Sequence, residues 1–246
     1  MPVLSSHAKI LLIFTFFLPC FAFAGPPFLT DDPEPVDYMH WEFYVSSVQQ
    51  IESGSWNATL PHFEVNYGAL PNVQVHVIAP LSFVHTDRMR IYGYSDTEFG
   101  IKYRFVQETC SMPQIGTFPL VELPTGDQND LLGHGTTQVY APIWIQKTWG
   151  NFTTYGGAGY WFNPGSGNKN WLFTGYEGQY DFSEVLTLGG EFYYHTADAE
   201  GSTANEGFNV GGYINVTEHH HILFSFGSTL ASEKITTGYI GYQYTI

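Results

Sequence analysis

From Met39 onward, large apolar residues recur at every second position in short runs separated by Gly, Asn, Asp and Pro. A period of two marks extended strands with one face turned toward apolar surroundings. VQVHVIAPLSF sets Val73, Val75, Val77, Ala79, Leu81 and Phe83 against Gln74, His76, Ile78, Pro80 and Ser82. DTEFGIKYRF sets Phe99, Ile101, Tyr103 and Phe105 against Glu98, Gly100, Lys102 and Arg104. LTLGGEFYYH and GFNVGGYINV alternate in the same way. The ending TTGYIGYQYTI places Ile240, Tyr242, Tyr244 and Ile246 opposite Tyr239, Gly241, Gln243 and Thr245, a last strand whose apolar face needs cover. Weaker runs (MHWEFYVSS, PHFEVNYG, IGTFPLVELP, QVYAPIWIQK, FTTYGGAGYWF, WLFTGYEGQY and HILFSFGS) bring the expectation to about twelve strands.

The links between runs alternate in length. Short ones near 68–72, 147–151, 181–184 and 217–221 alternate with longer, Gly/Asn/Asp-rich ones at 85–95, 125–136, 163–170 and 196–206. Links 107–114 and 52–55 depart from this rule. Alternating short turns and long loops belong to an outer-membrane barrel. The non-apolar faces carry Gly, Asn, Gln and Thr with mixed charges, which suits a partly wet lumen better than the solvated exterior of a soluble sandwich. Trp41, Tyr67, Trp149, Trp161, Trp171, Phe182 and Tyr244 sit near strand ends, where interfacial aromatic girdles lie. The expected fold is all-β: a transmembrane antiparallel up-and-down β-barrel over residues 38–246.

The beginning of the chain reads differently. Lys9, the apolar stretch ILLIFTFFLPCFAFA and Ala22-Phe23-Ala24 have the layout of a secretory signal peptide over residues 1–24. Its apolar core of about 15 residues is short of the roughly 20 of a spanning helix. Residues 25–37 form a lead rich in Pro and acid, expected to cap one mouth of the barrel or fold inward as a plug. Without residues 1–24 the chain keeps 7 basic and 23 acidic side chains, which argues against nucleic acid as a partner. Cys110 is then the only thiol, so no disulfide framework is expected. Charged residues make up 13% and aromatics 17%, with no long apolar helix to account for the latter.

The stretches GPPFLTDDPEPVDYMHWEFYVSS, LPHFEVNYGALPNVQVHVIAPLSF, DTEFGIKYRF and FPLVELPTGD together resemble the "MetA pathway of phenol degradation" family of Gram-negative outer-membrane barrels. The resemblance covers most of the chain and is best over residues 26–127. Thr-Asp-Asp-Pro-Glu-Pro and Leu-Pro-Thr-Gly-Asp (123–127) are its more specific parts. It implies a channel-like protein of the cell outer membrane for aromatic or other small hydrophobic compounds. Barrels of this class commonly end in Phe or Trp, whereas this chain ends in Ile246.

Two polar constellations are candidates for chemistry. Glu98, Lys102 and Arg104 share a strand face and, with Glu122 and Glu191 on other lumenal faces, could form an ion-pair lattice that sets selectivity. His62, Glu64 and Asn66 share a face of one strand and His76 lies on the next, so a hairpin would gather them as a polar-ligand site or a stiffening hydrogen-bond network. His219, His220 and His221 read as a solvated turn. No His-x-Ser pair of the kind used by barrel lipases occurs, and no catalytic residue, cofactor or bound metal is expected. The expected function is passive passage of small solutes. The alternatives are a closed structural or surface-interaction barrel and, further off, a lipid-modifying enzyme. Outer-membrane lipids, lipopolysaccharide, the barrel assembly machinery and a small-molecule solute are the partners implied.

Overall fold

Side-chain parity organises the whole molecule. The structure is a computed structural model that describes residues 26–86, 88–230 and 234–246. The expected signal peptide, residues 1–24, lies outside the described residues. The strands are β1 (Trp41–Glu52), β2 (Ser55–Leu70), β3 (Val73–Thr86), β4 (Arg90–Tyr94), β5 (Thr97–Val106), β6 (Gln114–Thr117), β7 (Leu120–Leu123), β8 (Gln138–Trp149), β9 (Phe152–Phe162), β10 (Trp171–Asp181), β11 (Leu186–His195), β12 (Asn205–Asn215), β13 (His220–Thr229) and β14 (Thr236–Thr245).

These make a closed antiparallel barrel of twelve wall strands, because two walls are interrupted. β4 and β5 pair with successive lengths of β3 and are separated only by Ser95-Asp96. β6 and β7 both lie between β5 and β8, parted by Phe118-Pro119. Pro119 has no N–H to give to the ladder, and Phe118 turns into the lumen, where it is buried. Counted as twelve walls, with β4–β5 and β6–β7 as one wall each, every wall pairs with the next in sequence, and β14 returns to β1 from Glu42↔Thr245 to Ile51↔Thr236. Reciprocal bonds between Trp41 and Ile246 (2.7 and 2.9 Å) extend that seam to the last residue.

Two expectations about strand limits needed correction. Residues 90–94, expected within a long loop, form β4, with Tyr92 and Tyr94 facing outward. The charges and glycine around them mask the alternation. β2 begins at Ser55 and runs through Pro61 by means of a bulge between Thr59 and His62, where proline costs no ladder bond.

The two faces differ as parity dictates. Val45, Phe63, Ile101, Ile143, Tyr176, Phe192, Val210, Phe226 and Ile240 point outward and are each 45–65% exposed. Glu64, Asn66, His76, Lys102, Gln146, Glu177, Glu191 and Gln243 point inward and are buried. A soluble domain reverses this arrangement. An apolar exterior on a ring of wall strands paired on both sides is what lipid demands; among the described residues only β4, which pairs with β3 alone, leaves one side of its ladder open. Trp41 and Trp149 lie outward near strand ends, as girdle residues should. Trp161 and Trp171 do not: their parity, shared with buried Gly159 and Phe173, turns them into the lumen.

The interior is filled from below by the lead. From Tyr38, which bridges to Gly68 at the short-turn rim, residues 26–37 run up into the barrel.

Placing a charge at mid-height on the outer wall should be costly. Val210→Arg, at the centre of β12, is expected to destabilise the barrel in lipid vesicles by about 2–4 kcal/mol, and Val185→Arg in a short turn by about 0–1 kcal/mol. Denaturant unfolding followed by tryptophan fluorescence measures both.

Candidate functional site

The lead is suited to burial because of its prolines. Pro26, Pro27, Pro33 and Pro35 carry no N–H, so fewer backbone donors need partners inside the barrel. The wall supplies partners for those that remain. Glu191 accepts from Leu29 N (2.8 Å), Thr30 N (2.7 Å), Thr30 Oγ1 (2.6 Å) and Asn209 Nδ2 (2.6 Å). Ser225 Oγ donates to Pro27 O at 2.6 Å, and Val36 N donates to Gln74 Oε1 at 2.9 Å. Gly175 permits this close approach, since a Cβ there would overlap Thr30 Oγ1.

Two lumenal cations of β5 hold the acids of the lead. Lys102 Nζ donates to Asp31 Oδ1 at 2.9 Å and to Asp32 Oδ2 at 3.2 Å, and lies 5.0 Å from the Phe118 ring centre. Arg104 reaches Glu34 Oε1 at 3.4 Å, Gln114 Oε1 at 3.0 Å and Asn72 Oδ1 at 3.0–3.1 Å. Glu34 Oε2 accepts further bonds from Gln114 (3.0 Å) and Gln146 (2.9 Å). With the side chains of Lys102 and Asp32 almost fully enclosed, that pair acts in a low dielectric and is little screened by salt.

The five charged candidates therefore serve different partners. Lys102 and Arg104 bind the lead, as does Glu191 from the opposite wall. Glu98 Oε1 meets His76 Nε2 at 3.1 Å, and Glu122 Oε1 meets His134 Nδ1 at 3.1 Å in the long loop. Among the described residues no ion pair joins Glu122 or Glu191 to Lys102 or Arg104. The lead, rather than a direct lattice, links the walls. His134 titrates above the usual histidine range, first because Glu122 is hydrogen-bonded to it and further because Glu122 and Asp96 are both negative, with burial opposing.

The second constellation is largely gathered. Asn66 Nδ2 donates to Glu64 Oε1 at 2.8 Å, Asn66 Oδ1 lies 2.6 Å from His76 Nδ1, and Glu64 is 3.6 Å from the same nitrogen. His62 stands apart from these bonds and pairs with Thr59 Oγ1 at 3.0 Å. Glu64, Asn66 and His76 thus form one hydrogen-bonded chain ending on Glu98.

Sequence reasoning missed an aromatic lining at the long-loop end. Tyr140 stacks on Trp161 (centroids 4.8 Å, planes 18° apart), Trp161 on Trp171 (5.5 Å, 12°), and Trp171 meets His195 edge-on at 5.3 Å. Below them Phe118, Trp144, Phe173 and Tyr193 form a buried cluster. The signal was present in the inward parity of positions 140, 161, 171 and 173, but proximity to strand ends also fits a girdle. At the opposite end, beneath the lead, lies a cleft of about 370 Å³ lined by Glu34, Arg104, Gln107, Glu108, Gln114, Thr148, Thr153 and Asp181.

The architecture is that of outer-membrane channels and porins. An outer-membrane channel of Pseudomonas putida F1, described as COG4313, superposes with TM-score 0.66 at 15% identity, over 87% of this chain and 98% of that one. The NanC porin gives TM-score 0.58 at 7% identity and the KdgM porin 0.56 at 11%, each over 82% of this chain and 98% of its own. At these identities the likeness establishes the fold. No family model matches the chain, and neither does any curated protein.

Glu191→Gln keeps the volume but removes the charge that anchors the lead. Charge-assisted bonds contribute about 1.5–3 kcal/mol, so the Leu29 and Thr30 amides should exchange roughly 10- to 100-fold faster in hydrogen–deuterium exchange.

Proposed function

We propose that this protein is a passive outer-membrane channel for small solutes, aromatic or hydrophobic ones among them, whose lumen is regulated by its own N-terminal lead. The observation that carries the reading is the lead held inside a closed, apolar-skinned barrel by Lys102, Arg104 and Glu191. Two features of the lumen support passage rather than chemistry. The stacked rings of Tyr140, Trp161 and Trp171 offer flat, sequential contact to an aromatic molecule entering from the long-loop end. The acids Glu34 and Asp181 with Arg104 at the lower cleft give a wet, charged exit. The resemblance to the phenol-degradation family of barrels agrees with such a cargo.

On this reading the lead is the barrier and its displacement opens the path. Lumenal acids outnumber Lys102 and Arg104, so the opened pore favours cations.

Planar-bilayer recording tests the reading directly. Protein lacking residues 26–37 is expected to show a conductance severalfold above the intact chain and to pass K⁺ better than Cl⁻. Lys102→Ala, which leaves Asp31 and Asp32 without their cation, should show intermittent openings of the same size. Silence from both variants, with the barrel shown folded, would favour a closed structural barrel and sink the channel. For the cargo, Trp161→Ala with Trp171→Ala should slow entry of a phenol-sized probe into proteoliposomes severalfold and leave a small polar probe unaffected.

A further inference from the structure

At the long-loop end, three potential metal ligands from separate segments converge. Asp96 lies in the break between β4 and β5, Glu122 on β7, and His134 in the loop between β7 and β8. His134 Nδ1 is 3.3 Å from Asp96 Oδ2 and 3.1 Å from Glu122 Oε1, and one oxygen or nitrogen from each residue lies within 4.8 Å of the others. For bonds of about 2.0–2.1 Å, the ligand atoms of a tetrahedral ion stand roughly 3.3 Å apart, so two of the three edges already have that length.

The cluster is also short of positive charge. His134 Nδ1 carries a single hydrogen, yet two carboxylates aim at it. Among the described residues no Lys or Arg pairs with Asp96 or Glu122. The Asp96 side chain is only 2% exposed and is fixed by backbone donors, Gly126 N at 2.9 Å and His134 N at 2.6 Å. A buried, rigid carboxylate of this kind is a poor surface ornament and a good preorganised ligand. Directly across the strand pair from Glu122 stands Gln138, 3% exposed, whose side-chain nitrogen has no hydrogen-bond partner among the described residues. Turning that amide over presents its oxygen on the same lumenal face. His134 itself is 57% exposed, so an ion can arrive from the long-loop side and keep a water as its fourth ligand.

We propose that Asp96, Glu122 and His134 bind one divalent cation of the zinc class. One imidazole with two carboxylates suits a borderline ion better than a hard one such as Mg²⁺, which prefers oxygen alone. The ion fastens the loop 124–137 to the wall. That loop already inserts Leu132, buried against Gly93, with its carbonyl accepting from Ser95 Oγ at 2.5 Å. Closing this clasp steadies the rim above the aromatic lining, at a place separate from the lead.

Titration calorimetry with ZnCl₂ on the refolded full barrel in detergent tests the site, with heat-dependent gel mobility confirming that each variant is folded. The wild type is expected to take up one zinc at this site, and His134→Ala and Glu122→Gln each to weaken it at least tenfold. Both side chains sit at the rim, so neither change should unfold the barrel. The tract expected as a solvated turn instead opens β13 at His220, with His221 buried, and this second histidine group is the competitor to exclude; the control is His219→Ala with His220→Ala. Retained binding in that double variant together with loss in His134→Ala supports the proposal. No zinc binding by the wild type, binding unchanged in His134→Ala, or binding lost only in the double variant overturns it. Co²⁺ in place of zinc adds a second readout: tetrahedral visible absorption in the wild type that His134→Ala abolishes.

Discussion

Everything in this molecule depends on the closure of β14 onto β1. In lipid an unpaired row of N–H and C=O groups costs several kcal/mol per group, so a sheet can cross only if its first and last strands meet. The register from Glu42↔Thr245 to Ile51↔Thr236 achieves that, and the Trp41–Ile246 bonds carry it to the final residue. Ile246 continues the seam through its backbone. Once the ring is closed, strand parity sorts every side chain to lipid or lumen, and the interior chemistry follows.

The interior is a balance between polar demand and limited space. A twelve-strand ring encloses a lumen that side chains can nearly fill. Here the filling is shared between aromatic rings at the long-loop end and the lead from below. The lead brings acids to Lys102 and Arg104 and backbone donors to Glu191, so wall groups that would otherwise be buried without partners are satisfied by it. Because those partners are on a tether rather than on the wall, the same bonds that seal the barrel are ones that displacement of the tether breaks. A closed resting state and an openable path are therefore compatible in one structure.

Legibility differed by element for physical reasons. The alternation at 97–105 and 186–194 was clear because most outward positions (Phe99, Ile101, Tyr103, Leu188, Phe192) are large and apolar and most inward ones (Glu98, Lys102, Thr187, Glu191) are polar. It failed at 90–94, where Arg90 and Gly93 dilute the pattern, and at Ser55–Leu60, ahead of a proline that local rules read as a strand limit. Glu64, Asn66 and His76 could be grouped in advance because a hairpin with a short turn sets its own register. His62 escapes the group because the bulge at Pro61 shifts its neighbours. Asp96 and His134 could not be joined by sequence, since they are separated by a strand pair and a loop.

The sequence by itself determined the all-β barrel, its approximate strand number, the alternation of turn lengths and the faces of most strands. These follow from local periodicity, which needs no knowledge of what lies across the lumen. Only the tertiary structure decided that Trp161 and Trp171 face inward, that the acidic lead occupies the lumen, and that Lys102, Arg104 and Glu191 hold it there. Those facts depend on which strands stand opposite one another after closure, and periodicity along a strand carries no information about distance across the ring.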